Sequence, residues 1–205
     1  MLVAQRHDKY RNFEMLRRDE PANAFRIDCR RRPSAVAIIA PHGGKIEPWT
    51  SEIAAAIAAD DYSLYRFEGR KRRGNLDLHI TSSRFDEPLG VALVSDCDQV
   101  VAVHGCAGAE WVVYLGGLDD ALKDAIRLSL EAGGIRTGIH HNPNLQGVDP
   151  GNICNRGRRG CGVQLEISDG LRAALVADVP PQGASRLKAF VGAVRGAING
   201  VGNDS

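Results

Sequence analysis

Four side chains set the chemistry open to this sequence: His42, Glu47, His104 and Glu166. His42 follows the apolar run AVAIIAP, and Gly43, Gly44, Lys45 and Ile46 separate it from Glu47. The two glycines let the backbone fold sharply and leave room around the first imidazole. Pro48 disfavours the α conformation at the residue before it, so the Glu47 carboxylate is expected on a loop. His104 follows a second apolar run, VVAV. Two imidazoles and a carboxylate, one pair at loop spacing and the third group on a distant strand end, match a His₂Glu zinc site. Such a site keeps one position open for water. One Zn²⁺ per chain is therefore expected, with His42, Glu47 and His104 as ligands. It would lower the pKa of that water towards neutrality and polarise a scissile carbonyl. Glu166 lies inside VQLEI. Its buried neighbours should raise its pKa towards the range of a general base.

Other polar residues carry weaker assignments. Asn155 and Arg156 precede Glu166 in an Asn-, Gly- and Arg-rich stretch. A guanidinium fork matches a substrate carboxylate in two parallel hydrogen bonds, and an arginine packed on glycine-rich backbone is the alternative. His79 is open to either a site role or a structural one, and His140–His141 are assigned to a loop. The five cysteines are Cys29, Cys97, Cys106, Cys154 and Cys161. They lack CxxC spacing, which argues against thiolate zinc, and reduced thiols are the default. Cys154 and Cys161 flank a tight loop, and their pairing is left open.

The elements that must position these groups can be read from apolar patterning. Residues 35–40 form a short apolar run between Pro33 and Pro41, which favours a buried strand. A helix through SEIAAAIAA follows, with Thr50 or Ser51 as N-cap. Residues 62–67 and 76–81 read as strands, and Asp86 as the cap of a helix beginning near Pro88. Residues 100–103, 111–115 and 163–167 read as further strands. Leu118, Leu122, Ala125, Ile126 and Leu130 recur at helical spacing up to Gly133 and Gly134. Leu187, Phe190, Val191, Val194 and Ile198 form one stripe of a closing helix from about Ser185. Residues 1–30 read as a polar, partly helical lead-in. Residues 140–162 form a loop long enough to suggest function. Strands alternating with helices imply one α/β domain over residues 1–205, with a mixed central sheet flanked by helices. Ligands gather at the carboxyl ends of strands in such sheets.

Composition narrows the partners. Lys plus Arg number 26 against 25 Asp plus Glu, so no global polyanion-binding charge is present. Local clusters stand at 30–32, 70–73 and 156–159, and can hold carboxylate- or phosphate-rich ligands. No signal peptide and no transmembrane run is seen, so a cytoplasmic monomer without a membrane partner is expected, with release by lysis an alternative.

Four segments occur in a specific order: HGGKIEPWTSEIA, LHITSSRFDEP, VAVHGC and DPGNICNRGRRGCGVQLEIS. Over roughly residues 34–170 they resemble the phage-related poly-γ-glutamate hydrolases. These are zinc peptidases similar in fold to carboxypeptidase A and the N-formylglutamate amidohydrolases. The resemblance implies zinc ligation by His42, Glu47 and His104, a general-base role for Glu166, and substrate contact by Asn155 and Arg156. Two departures from the carboxypeptidases stand out. The first His and Glu are spaced by four residues rather than two, and the Asn-Arg pair follows the third ligand instead of preceding it. The implied activity is hydrolysis of γ-glutamyl amide bonds in a polyglutamate or glutamyl peptide by zinc-activated water. The alternatives are a zinc amidohydrolase acting on a small acyl-glutamate or γ-D-glutamyl peptidoglycan fragment, and a non-enzymatic nucleic-acid-binding protein. The last leaves HGG-x-x-E and Glu166 unexplained.

Overall fold

A run of residues buried on both faces, β2 (Val36–Gly44), sits in the middle of the sheet. Such continuous apolar character is what a parallel central strand requires. The computed structural model describes residues 8–177 and 182–202. The other strands are β1 (Phe25–Arg30), β3 (Ser63–Gly69), β4 (Gln99–Cys106), β5 (Val112–Gly117), β6 (Arg136–Gly138) and β7 (Val163–Ser168). The helices are α1 (Phe13–Asp19), α2 (Thr50–Ala58), α3 (Pro88–Ser95), α4 (Asp120–Ala132), α5 (Asp169–Val176) and α6 (Gln182–Gly202). The seven strands lie in the order β1-β3-β2-β4-β7-β5-β6. The run β3-β2-β4-β7 is parallel, while β1 on β3 and β5 on β7 are antiparallel. The sheet is thus mixed, and helices flank it.

Strand parity separates two cores. Ile38, Val101, Val103, Leu165 and Ile167 face α2, α4, α5 and α6. Ile39, Val100 and Ala102 face the other way, towards Phe13, Leu16, Leu93, Val94 and Phe85. Successive strand residues point to opposite faces. His104 therefore continues the row of Val100 and Ala102, and Glu166 stands opposite the Val163–Leu165–Ile167 row. Both polar groups lie on the second face. That face is covered by short helices and by the stretches 70–87 and 140–162, and loops rather than helices can leave a crevice there.

Several elements differ from their sequence expectations. Residues 76–81 form no strand: Asn75–Leu78 is a single 3-10 turn. The open edge of β3 is already taken by β1, leaving no ladder for a further strand, and Leu78 and Ile80 bury in the second core instead. β1 itself lies inside the expected lead-in. Its alternation of Arg26, Asp28 and Arg30 with half-buried residues is that of an edge strand. Helix α2 is capped by neither Thr50 nor Ser51. It begins after Trp49, which holds φ 76°, and the Thr50 hydroxyl donates to Glu47 O at 2.8 Å. Glu87, not Asp86, caps α3 by accepting from Leu89 N and Gly90 N. Asp86 instead accepts from Phe13 N at 2.7 Å. Helix α5 and strand β6 were not anticipated. Residues 140–162 are irregular apart from two single 3-10 turns, as expected. All five cysteines are free thiols, so Cys154 and Cys161 do not pair.

Candidate metal centre and active site

The chain leaves β2 through α2 to reach β3 on one side, then crosses through α3 to β4 on the other. Loops from adjacent β2 and β4 thus diverge, which opens a crevice at their carboxyl ends. His42 and His104 stand there, each 2% exposed.

Each group has its orientation fixed by a neighbour. His42 Nε2 lies 2.8 Å from Ile80 O. A carbonyl only accepts, so Nε2 carries the proton and the Nδ1 lone pair is free. That Nδ1 is 3.1 Å from Glu47 Oε1 and 3.1 Å from His104 Nδ1. His104 Nδ1 is 3.5 Å from Glu47 Oε2, and its Nε2 lies 3.4 Å from the Ser82 hydroxyl. Glu47 Oε2 also accepts from Gly105 N at 2.9 Å. The turn carrying Glu47 is closed by its own N–H donating to His42 O at 2.9 Å. Gly43 leaves room here for the Ser51 hydroxyl, which accepts from Gly44 N at 3.0 Å.

The donor set fits zinc. Tetrahedral bonds of 2.0–2.1 Å place ligand atoms about 3.3 Å apart. Here His42 Nδ1 stands 3.1 Å from both His104 Nδ1 and Glu47 Oε1, and the second carboxylate oxygen, Oε2, stands 3.5 Å from His104 Nδ1. The protonation of His42 and Glu47 favours ligation, whereas His104 must give up a proton to bind a metal. Burial pushes the His42 imidazole down to about 4, keeping it neutral. Burial works against the Glu47 charge, yet His42 and His104 hold its carboxyl well below the usual range. Burial likewise opposes the charged form of His104, but the hydrogen bond and charge of Glu47 outweigh it and raise the imidazole.

His79 joins the same centre. Its ring lies 3.9 Å from that of His42, and one ligand atom from each of His42, Glu47 and His79 falls within 4.8 Å of the others. Asp8 receives His79 Nδ1 at 2.7 Å, together with Thr81 N and Arg84. Nothing in the sequence around Asp8 signals this contact across 71 residues.

Glu166 pairs in register with His104 on β4 and with Tyr114 on β5, so the three share one row of the sheet. Burial, reinforced by the Glu47 charge, pushes its carboxyl up to about 7. Gln164 Nε2 donates to Glu166 Oε1 at 2.8 Å, and Asn152 Nδ2 donates to Gln164 Oε1 at 2.9 Å. The 140–162 loop therefore supports the acid through Asn152 and Gln164. Its His140 and His141 stack on each other, with His140 against Tyr114.

Asn155 and Arg156, expected to contact substrate, bond to the backbone of the surrounding loops. Asn155 Nδ2 donates to Gly147 O and Asp149 O, and its Oδ1 accepts from Leu118 N and Gly162 N. That saturates the amide. Arg156 donates from Nε to Gly151 O, from Nη1 to Phe85 O and from Nη2 to Ser83 O. Carbonyls of the loops thus occupy the fork. A residue the sequence did not flag, Arg172, is buried beneath the centre. Its Nε donates to Pro48 O at 2.8 Å and its Nη1 to Cys106 O at 3.2 Å, with further bonds to Ile167 O and Asp169. It ties the Glu47 turn to the ends of β4 and β7.

The chain is similar to several known proteins. The YndL protein of Bacillus subtilis is 36% identical over 169 residues, 82% of this chain and 67% of its own length. The structure of a bacteriophage poly-gamma-glutamate hydrolase superposes with a TM-score of 0.89 at 30% identity, covering 97% of this chain and all (100%) of the other. A zinc-free apo structure of YndL gives 0.87 at 31% identity, covering 95% and 99% of the two chains. An N-formylglutamate amidohydrolase from Ralstonia eutropha shares the fold, with a TM-score of 0.51 at 11% identity, covering 89% of this chain and 100% of the other. The family model for poly-gamma-glutamate hydrolase matches residues 10–193, a span that holds the whole His42–Glu47–His104–Glu166 row, and the chain belongs to that family.

Proposed function

We propose that this chain is a zinc-dependent hydrolase of γ-glutamyl amide bonds, with poly-γ-glutamate as its substrate. The observation that carries the reading is the convergence of His42 Nδ1, Glu47 and His104 Nδ1 within 3.5 Å of one another, beside a buried acid. In this reading His42, Glu47 and His104 hold one zinc ion. Bound there, zinc supplies Lewis acidity, polarising an amide carbonyl and favouring deprotonation of water. Glu166 begins as the carboxylate, takes a proton from the attacking water and delivers it to the leaving amide nitrogen. The new C–O bond replaces the C–N bond, and with the second water proton also passing to nitrogen the products are a carboxylate and an ammonium group. Burial, which pushes the Glu166 carboxyl up, suits a group that must both take and return a proton. Ile80 O keeps the His42 proton on Nε2, and Asn155 and Arg156 act by holding the loops that close the crevice.

The test is incubation with poly-γ-glutamate, with and without a zinc chelator, followed by gel filtration. Chelator-sensitive shortening of the polymer is the expected outcome. No shortening by protein shown to carry zinc would move the substrate to a small acyl-glutamate or a γ-D-glutamyl peptidoglycan fragment.

A further inference from the structure

A cavity of about 460 Å³ opens beside the Glu47 turn, on its β3 side, with Lys45, Pro48, Trp49, Glu52, Glu68 and Arg70 among its walls. We infer that it seats a glutamyl unit of the polymer next to the scissile bond, with Lys45 and Arg70 pairing with that unit's free α-carboxylate. The inference rests on the hydrolase reading above and assigns that reading a substrate subsite.

The sheet itself brings the two cations together. Gly44 pairs with Gly69 in the parallel β2–β3 ladder, and Lys45 N donates to Gly69 O at 3.0 Å. Lys45 and Arg70 are the next residue on each strand, so they leave adjacent strand ends about 4.8 Å apart. Neither has an ion-pair or side-chain hydrogen-bond partner among the described residues, and the same holds for Arg72 and Arg73. Arg11, Arg17 and Arg26 are likewise unpaired among the described residues, but none of them lines the cavity. Arg30, Arg31, Arg32, Arg66, Arg84 and Arg127 all have carboxylate partners. Lys71, inside the same turn, is drawn inward to Glu20 at 3.0 Å. Its neighbours are left facing solvent. Two cations on adjacent strand ends, neither in an ion pair, repel, and a carboxylate relieves that. Of the two wall acids, Glu68 is occupied by Arg66 at 3.3 Å, which leaves cations in excess.

Trp49 adds a second, independent feature. It holds a left-handed backbone, φ 76°, and is 44% exposed at the cavity wall. A non-glycine residue in that region is strained, and such residues cluster at binding sites. An exposed indole there offers an apolar face to the methylenes of a glutamyl unit.

The experiment uses the full zinc-loaded chain carrying Glu166→Gln, so that a γ-linked glutamate oligomer binds without being cut. Titration calorimetry at low and high salt then compares it with Lys45→Gln/Arg70→Gln on the same background. A control removes two surface cations on the helical face, Arg127→Gln/Lys188→Gln. The cavity variant should bind about tenfold more weakly, with a shallower salt dependence, while the control stays within about twofold. If the wild-type chain cleaves the polymer but the cavity variant binds it as tightly as its parent, the subsite is wrong and the hydrolase reading stands. A chain that neither cleaves nor binds any γ-glutamyl oligomer overturns both.

Discussion

Replacing Glu166 by Gln keeps the shape of the side chain and its bond from Gln164 within reach by a flip of the amide, but removes the ability to take a proton. Turnover should fall by about 10²–10⁴, the range general-base catalysis contributes, while zinc content per chain is unchanged. Near-wild-type turnover in a zinc-loaded Glu166→Gln chain would exclude the assigned role. The two histidines around His42 are separated by a different measurement. His104 Nδ1 points at both Glu47 and His42, whereas His79 Nδ1 is held by Asp8, which leaves Nε2 as its one available ligand atom, and its ring lies tilted 33° over that of His42. His104→Ala should therefore lose stoichiometric zinc on dialysis against a weak chelator. His79→Ala should retain it with affinity lowered about 10–100-fold, as for a supporting residue. The opposite ranking would make His79 the ligand. The convergence of His42, Glu47, His104 and Glu166 was legible because His42 and His104 follow apolar runs, Glu47 is tied to His42 by a short turn, and Glu166 stands opposite the apolar row of its own strand. Asp8 was not, because a single carboxylate in a polar segment has no periodicity to announce its partner.

Elements position these groups through backbone contacts that sequence patterns do not encode, and Arg172 on α5 is the clearest case. Its guanidinium reaches carbonyls of Pro48, Cys106 and Ile167 from three different segments. Gly105 must be glycine, since a side chain there would strike that guanidinium. Arg172→Met strips buried acceptors of their donor at about 1–3 kcal/mol each. Some relaxation is expected, so a loss of about 2–4 kcal/mol should appear in urea denaturation, together with weaker zinc retention, because the Glu47 turn loses its tie. A stability change below about 0.5 kcal/mol would mean the strap is redundant. Helix α5 carried a readable signal, Ser168 capping Leu171 N with Leu171 and Leu175 on one face. It is short and abuts β7, so it merged with that strand's apolar run. The buried strands β2, β4 and β7 were legible as continuous apolar runs. The misplaced strand at 76–81 failed for a topological reason: alternation makes a strand only where an edge is free to pair.

The two cores meet a third anchoring device at the scale of the whole molecule, the docking of the N-terminal segment on the 70–87 stretch. Glu20 is at its centre. Its carboxylate accepts the Tyr10 hydroxyl at 2.7 Å, Lys9 Nζ at 3.0 Å and Lys71 Nζ at 3.1 Å. Burial works against its charge, yet these bonds hold its carboxyl down at about 2 rather than the ordinary 4.5. A depressed carboxylate contributes stability that is fully present above the unfolded value and disappears as pH falls through the folded one. The window is therefore from about pH 4.5 down to about pH 2. Each tenfold change in proton affinity is worth about 1.4 kcal/mol, and Lys9 is half exposed and so screened, which leaves about 1–3 kcal/mol for the contribution. Glu20→Gln should lower stability at pH 7 by that amount, with the gap between wild type and variant closing steadily below pH 4.5. Asp8 and Asp28 titrate in both chains, so the difference isolates Glu20. Urea midpoints at pH 7, 4 and 2.5 provide the check. A gap that stays constant across those three values would assign the effect of Glu20 to packing instead of charge. The Arg70–Arg73 turn would then depend on Lys71 for its position much less than its bond to Glu20 implies.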